Sequence, residues 1–160
     1  IKVGGKKFDD SIRSIIRKEY ALMIGSKTAE NVKISLKDLE KAGKNAVVYG
    51  RDIVTGLPVE REIPTDIIDK ALIENFDTIL DNIRATLERT PPELAADIYK
   101  HGLYLTGGAS QIGHLAQKLS NGVGLNVNLA ENPTCSVALG LAKIIKEDQY
   151  KSLAYDIGNE

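Results

Sequence analysis

The chain contains few of the residues that mark several classes of protein. Its 160 residues include one cysteine, two histidines, no tryptophan and 5% aromatic residues. A single cysteine, Cys135, excludes an internal disulfide and is typical of a reducing compartment. Since no Cys/His cluster has zinc-ligand spacing, the sequence predicts no structural metal site.

Charge of one sign and long apolar runs are also missing. The 21 basic residues nearly balance the 22 acidic ones and leave a net charge of −1. Nucleic-acid-binding domains usually carry a basic excess, so we expect no nucleic-acid partner. No segment approaches the roughly 20 apolar residues of a spanning helix, and residues 1–5 lack the apolar stretch of a signal peptide. These absences predict a cytoplasmic protein without a transmembrane segment.

The most informative run is an apolar strand that ends in paired glycines. Leu103-Tyr104-Leu105-Thr106 precedes Gly107-Gly108, and the apolar residues after this pair predict a helix, with Ile112, Leu115, Ala116 and Leu119 on one face. Without a Cβ, Gly107 and Gly108 let a flat or anionic ligand approach the backbone, and N–H groups of the predicted helix would point the same way. A Gly-Gly turn without a ligand is the alternative.

From Leu103 onward the predicted elements alternate as strand, helix, strand and helix. Apolar spacing places Leu125, Val127 and Leu129 in the second strand, and Val137, Leu141, Ile144 and Ile145 on the inward face of a last helix that starts after Asn132-Pro133. This βαβα order predicts parallel strands joined by a right-handed crossover. Ligands of such sheets bind at the carboxyl ends of strands, which is where Gly107 and Gly108 lie.

The rest of the chain is predicted from apolar period and from capping and turn residues. In chain order these predictions are a strand end over 1–3, a helix over 8–20, a short helix capped by Ser26 or Thr28 and ending near Lys33, a polar connection over 37–45, a ribbon of strands 46–54 and 59–63, a long helix over 65–89, a helix capped by Thr90 and Glu93 and ending at Gly102, and coil from Tyr150.

Five runs, taken in order, resemble the MreB family of bacterial actin-like, rod shape-determining proteins. They cover residues 4–9, 25–33, 50–58, 90–98 and 105–108. The most specific are Arg-Asp-Ile-Val-Thr-Gly-Leu-Pro within the third and Thr-Pro-Pro-Glu-Leu-Ala-Ala-Asp within the fourth. A chaperone of the DnaK type or a sugar kinase, which share the fold, fits these runs less well. The similarity extends over about residues 1–146.

The resemblance implies roughly the second half of an actin-like ATPase, with an α/β fold. Residues 1–4 and 66–149 would form a ribonuclease-H-like lobe, residues 5–65 an inserted smaller α/β subdomain, and residues 150–160 a C-terminal tail. In this family the nucleotide lies in a cleft between two such halves. The opening on Ile1, without an initiator methionine, predicts a fragment of a longer protein.

The resemblance also assigns nucleotide-binding residues. Gly107 and Gly108, with Ala109 beside them, would approach the sugar and α-phosphate through their backbone, and Ile112 would line the adenine pocket. Glu30 and Lys33 would reach the ribose and the base edge. Because Glu30 and Lys33 are three residues apart on a predicted helix, a solvated ion pair between them is the alternative.

The implied function is that of a filament-forming cytoskeletal ATPase that controls cell shape. ATP with Mg²⁺ would be the cofactor of the intact protein, and its partners would be further copies and membrane-associated morphogenesis proteins, at the membrane or in the cytoplasm. The phosphate-gripping and metal-binding groups would precede Ile1, so we expect no catalytic or metal residue here, no ATP hydrolysis by the chain alone and no firmly bound cofactor.

A non-catalytic actin-like scaffold without nucleotide control is the rival hypothesis. Ala109 stands where MreB proteins commonly have a third glycine, and Ser110-Gln111 replaces residues that are usually apolar. Alanine adopts positive φ less readily than glycine does. These departures therefore favour the scaffold.

Overall fold

The computed structural model describes residues 1–154, which form six α-helices and five β-strands. The helices are α1 (Gly5–Tyr20), α2 (Ser26–Lys41), α3 (Thr65–Glu88), α4 (Pro92–His101), α5 (Leu115–Val123) and α6 (Ser136–Lys146). The strands are β1 (Leu22–Met23), β2 (Ala46–Asp52), β3 (Pro58–Ile63), β4 (Leu103–Leu105) and β5 (Val127–Leu129). Two short 3-10 helices, Gly108–Gln111 and Asp148–Leu153, complete the described part.

The first sheet is antiparallel, with the strand order β1-β2-β3. β2 and β3 form the predicted ribbon, paired from Ala46 opposite Ile63 to Arg51 opposite Pro58. Strand β1 was not predicted, because two residues are too few for a visible alternation. Gly50 lets β1 approach, since a Cβ at that position would lie 2.6 Å from the carbonyl oxygen of Met23.

The second sheet consists of β4 and β5, which are parallel and pair Leu103 with Val127 and Leu105 with Leu129. Helix α5 connects them, so the predicted βαβα order from Leu103 is confirmed. Both carboxyl ends therefore lie at the same edge of the sheet. The chain continues from that edge into Gly107 on one side and into Ala130 on the other.

Helix α3 forms the centre of the packing, and its predicted extent is confirmed to within one residue. Its buried residues Ile68, Leu72 and Phe76 belong to a single apolar core that also includes residues of α1, α2, α5 and both strands of the ribbon at its open end. The Phe76 ring meets the fully buried Phe8 of α1 edge to face, with 5.8 Å between ring centroids. Packing against α1 and α5 places α3 between the two sheets.

Several helices differ from prediction, and α1 starts at Gly5 instead of Phe8. Helix α2 continues to Lys41 instead of ending near Lys33, so the predicted polar connection over 37–45 was wrong. The N-cap of α2 is Gly25, and no side chain caps this end of the helix. Helix α4 starts at Pro92 without a side-chain cap, and the Thr90 hydroxyl instead donates to the Thr86 carbonyl. After the 3-10 helix Gly108–Gln111, the left-handed backbone at His114 precedes α5, which begins only at Leu115. The predicted helix over Ile112 is therefore also wrong.

The predicted burial of the last helix is wrong. Val137, Leu141 and Ile145 are exposed, and Ile144 is half-buried. Among the described residues, the main contacts of α6 are with the 3-10 helix that follows it, so no other element covers its apolar stripe. The 3-10 helix also replaces part of the predicted coil from Tyr150; residues 155–160 lie outside the described part. Residues 1–3 are not a strand.

Truncation of Phe8 tests the shared core. We expect Phe8→Ala to lower the free energy of unfolding by about 3–5 kcal/mol, because it removes a fully buried ring and leaves a cavity. Tyr99→Ala, at an exposed helical position, should change it by no more than about 0.5 kcal/mol. Urea denaturation followed by circular dichroism gives both values. Equal effects of the two substitutions would contradict this packing.

Candidate functional site

A cleft of about 470 Å³ opens between α2 and the segments that follow β4 and β5. Helix α2 forms one wall, the 3-10 turn Gly108–Gln111 the other, and the segment after β5 the floor. The lining residues are Lys33, Ile34, Lys37, Asp38, Gly108, Gln111, Ile112, Leu129, Ala130, Glu131 and Pro133. The cleft therefore lies at the carboxyl ends of the parallel strands, the edge where such sheets bind ligands.

A backbone hydrogen bond holds the glycine turn in place. The Gly107 N–H donates to the Pro133 carbonyl at 2.6 Å, which ties the turn to the segment after β5. Gly107 has φ +83°, and a Cβ there would meet nothing within 4 Å. The position needs glycine because of its backbone angle, and the space in front of it is open. A ligand can therefore approach the main chain there.

Ser110 stabilises this turn from within. Its side chain is buried, and its hydroxyl donates to the Gly107 carbonyl at 2.6 Å. The Ser110 N–H donates to the same carbonyl at 3.2 Å. Ser110 therefore has a structural role: it fixes the turn in a form that keeps Gly107 and Gly108 exposed.

The structure places the predicted residues of the turn at different depths. Gly108 and Ile112 line the cleft, whereas Gly107 and Ala109 are not among its lining residues. Ile112 is 7% exposed and belongs to the apolar core, which Ala109 contacts from its half-buried position. Gly108 and Ile112 thus share one wall, opposite α2.

Lys33 lines the cleft, but its ammonium group is turned into the protein. Its Nζ lies 2.7 Å from Asp9 Oδ1 and donates to the Gly5 carbonyl at 3.3 Å. The Lys33 and Asp9 side chains are only 10% and 15% exposed. Because an unpaired charge at this depth is costly, the ion pair holds the start of α1 against α2.

Glu30 lies one turn before Lys33 and pairs elsewhere. Lys27 Nζ donates to Glu30 Oε2 at 2.8 Å, and this hydrogen bond and the Lys27 charge lower the pKa of Glu30. The alternative of an ion pair between Glu30 and Lys33 is therefore wrong. The Glu30 side chain is 41% exposed and is not among the residues that line the cleft.

Lys37 is the cleft residue that sequence reasoning missed. It is exposed, lies one turn beyond Lys33 and lines the same cavity. The prediction ended α2 at Lys33 and placed Lys37 in a loop, although Leu36 and Leu39 continue the apolar period of the helix. Following that period to its end would have placed Lys37 on the wall of the cleft.

Comparison with known proteins shows the family. The family model for MreB/Mbl protein matches residues 1–152. The chain belongs to the MreB/Mbl family. The cell shape-determining protein Mbl of Bacillus subtilis is 39% identical over 142 residues, which make up 88% of this chain and 43% of Mbl. The chain thus spans less than half the length of this MreB/Mbl relative.

Solved structures agree with this family. MreB5 of Spiroplasma citri bound to AMPPNP is 39% identical and matches with a TM-score of 0.84 over 96% of this chain and 46% of MreB5. Its ADP complex matches equally well and covers 47% of that chain. MamK, solved as a double helical filament, is 23% identical with a TM-score of 0.71 over 89% of this chain and 45% of MamK, which shows the fold alone. The predicted actin-like α/β fold is confirmed.

The buried ion pair beside the cleft gives a test of its energetic role. We expect Asp9→Ala to lower the free energy of unfolding by about 3 kcal/mol, because it leaves the Lys33 ammonium buried without its partner. Glu30→Ala removes the exposed partner of Lys27 from the same helix and should leave the free energy of unfolding nearly unchanged. Urea titration of both variants measures the difference. A cost below 1 kcal/mol for Asp9→Ala, roughly the level of a surface pair, would contradict this role.

Proposed function

We propose that the chain supplies the adenosine-binding wall of an actin-like, ATP-binding cytoskeletal protein. The observation that carries this proposal is the cleft between α2 and the Gly107–Gly108 turn, which lies at the carboxyl ends of two parallel strands. Its relative MreB5, with the same fold, was solved with AMPPNP and with ADP. The cleft volume of about 470 Å³ falls in the range of small-molecule sites.

Each predicted nucleotide residue has a role in this proposal that suits its position. Gly107 and Gly108 offer exposed backbone to the sugar and the α-phosphate, and the apolar side of Ile112 faces the adenine. Glu30 turns from Lys27 to accept hydrogen bonds from the ribose, which a carboxylate does well. Because the Lys33 ammonium is bound to Asp9, Lys33 forms part of the cleft wall but does not offer its charge to the ligand. We add Lys37 as the cation that reaches the ligand.

The remaining proposals concern the complete protein and rest on family membership. Mg²⁺ would accompany ATP, and hydrolysis would need groups from the other side of the cleft, since positioning and metal-assisted charge stabilisation carry phosphoryl transfer. Filament self-association, cell-shape control, a cytoplasmic or membrane-associated location, and contact with morphogenesis proteins belong to the same proposal. Within residues 1–154, no helix combines the length and apolar character needed to cross a bilayer.

Substitution of Gly108 tests the cleft as the nucleotide site. We expect the chain to bind ATP weakly in calorimetric titration, because the proposal leaves the groups that hold the triphosphate and Mg²⁺ outside this chain. Gly108→Leu should abolish that binding. Its φ is not positive, and a Cβ there would meet only Thr134 Cγ2 at 3.6 Å, so the fold is kept while the side chain fills the cleft.

Gly140→Leu is the matched control for this titration. Gly140 lies in α6, a Cβ there would meet nothing within 4 Å, and Gly140 is not among the residues that line the cleft. This variant should bind ATP as the unmodified chain does. Equal binding by both leucine variants, or tight ATP binding without Mg²⁺, would contradict the proposed site.

The scaffold hypothesis is the second candidate, favoured by Ala109-Ser110-Gln111. The two hypotheses differ in whether polymers respond to nucleotide, and sedimentation of the complete gene product separates them. If nucleotide controls assembly, ATP should increase the pelleted fraction several-fold, and Gly108→Leu should remove that response while Gly140→Leu keeps it. A pelleted fraction that ignores both ATP and Gly108→Leu would support the scaffold.

A further inference from the structure

Three side chains from separate segments meet behind the cleft wall. Glu40 lies in the last turn of α2, Asp69 near the start of α3, and His114 directly before α5. Their possible ligand atoms all lie within 4.8 Å of one another, and His114 Nε2 is 2.8 Å from Glu40 Oε2. The fold thus brings together two carboxylates and an imidazole from residues that are far apart in the sequence.

The backbone conformation of the segment before α5 brings His114 close to Glu40. His114 has φ +61°, a left-handed conformation that non-glycine residues seldom adopt. Gly113, next to it, passes close to α2: a Cβ there would lie 3.3 Å from Glu40 Oε2 and 3.5 Å from Lys37 Cβ. The loop therefore lies directly on the end of α2, with the imidazole directed at the Glu40 carboxylate.

Glu40 provides a second observation. Its side chain is 16% exposed, and its Oε1 is buried with no hydrogen-bond partner among the described residues. Buried polar atoms in folded proteins are nearly always satisfied, and an exception calls for an explanation such as a missing ion. The other carboxylate oxygen lies 2.8 Å from His114 Nε2, so Oε1 is the atom left to bind a further group.

The two carboxylates of the cluster also favour a cation. The possible ligand oxygens of Glu40 and Asp69 lie within 4.8 Å of each other. The nearby positive charges, Lys37 and Lys41 of α2, line the adjoining cavity. Two carboxylates in contact repel each other unless a proton or a cation lies between them.

We propose that Glu40, Asp69 and His114 bind a divalent transition-metal ion of the Zn²⁺ type. Imidazole nitrogen with carboxylate oxygen is a donor set that Zn²⁺ accepts, whereas Mg²⁺ and Ca²⁺ select oxygen alone. Tetrahedral Zn²⁺ holds its ligand atoms about 3.4 Å apart. The present spacing needs small side-chain shifts to reach that value, and water would complete the coordination.

The ion would connect the cleft wall to the core. Gln111 and Ile112 line both the cleft and an adjoining cavity of about 480 Å³ that includes Glu40 and His114. A metal at the cluster would fasten the segment after Gly108–Gln111 to α2 and α3. It would therefore stabilise one wall of the cleft whether or not a nucleotide binds, and the proposal does not depend on the proposed function.

Metal binding by the tag-free chain tests the site in a Cys135→Ala background. This background removes an exposed thiol that could bind Zn²⁺ by itself. After treatment with EDTA, the chain is titrated with Zn²⁺ or Co²⁺, and melting temperature and Co²⁺ absorption are measured. Zn²⁺ should raise the melting temperature by mass action, Mg²⁺ should not, and Co²⁺ should give the absorption of a tetrahedral site.

Paired variants decide which residues hold the ion. Glu40→Gln and His114→Asn should weaken Zn²⁺ binding at least about tenfold, the loss expected when a metal site is disturbed; asparagine tolerates the left-handed backbone at 114. Glu74→Gln on α3 and His101→Asn on α4 replace exposed residues of the same types and should leave binding unchanged. Both Glu40→Gln and His114→Asn are first shown to fold by circular dichroism.

Two results would overturn the proposal. One is the absence of any Zn²⁺ effect on the melting temperature, which would make the cluster a hydrogen-bonded network only. The other is an equal effect in Glu40→Gln, His114→Asn and the controls, which would place the ion elsewhere on the surface. A loss confined to the two cluster variants supports the site.

Discussion

The structure depends on the apolar face of α3, which packs against α1 on one side and α5 on the other. The first sheet and α2 are connected to α1, and the glycine turn leads into α5. The core around Phe8, Phe76 and Leu119 therefore sets the distance between the two walls of the cleft. Gly122 allows α5 to pack closely against α3, since a Cβ there would lie 2.6 Å from Leu80 Cδ1.

Helix α2 combines two kinds of buried polar contact along one side. Lys33 pairs with Asp9 near the start of α1, and Glu40 meets His114 and Asp69 at the other end of the cleft wall. Between them Lys37 faces the open cavity. Spacings of three and four residues place all three side chains of α2 on one face. The ends of the wall are anchored in the core, and its middle is left for a ligand.

Much of the fold could be predicted because local patterns agree with the tertiary structure. The long period of α3, the two-stranded ribbon of β2 and β3, and the βαβα order from Leu103 are all confirmed. The missed features are short or mixed in character. Strand β1 has two residues, and charged residues hide the second half of α2. Helix α5 runs through Asn121 and Gly122 to Val123 and ends in a left-handed C-cap at Gly124.

The family and the glycine turn could be recognised from the sequence alone, because they depend on residues adjacent in the chain. Only the tertiary structure decided which side chains meet: it paired Lys33 with Asp9 and Glu30 with Lys27, left the apolar stripe of α6 uncovered in the described part, and brought Glu40, Asp69 and His114 together. Periodicity shows that a helix face is apolar but not what covers it, and contacts between distant segments depend on how whole helices pack.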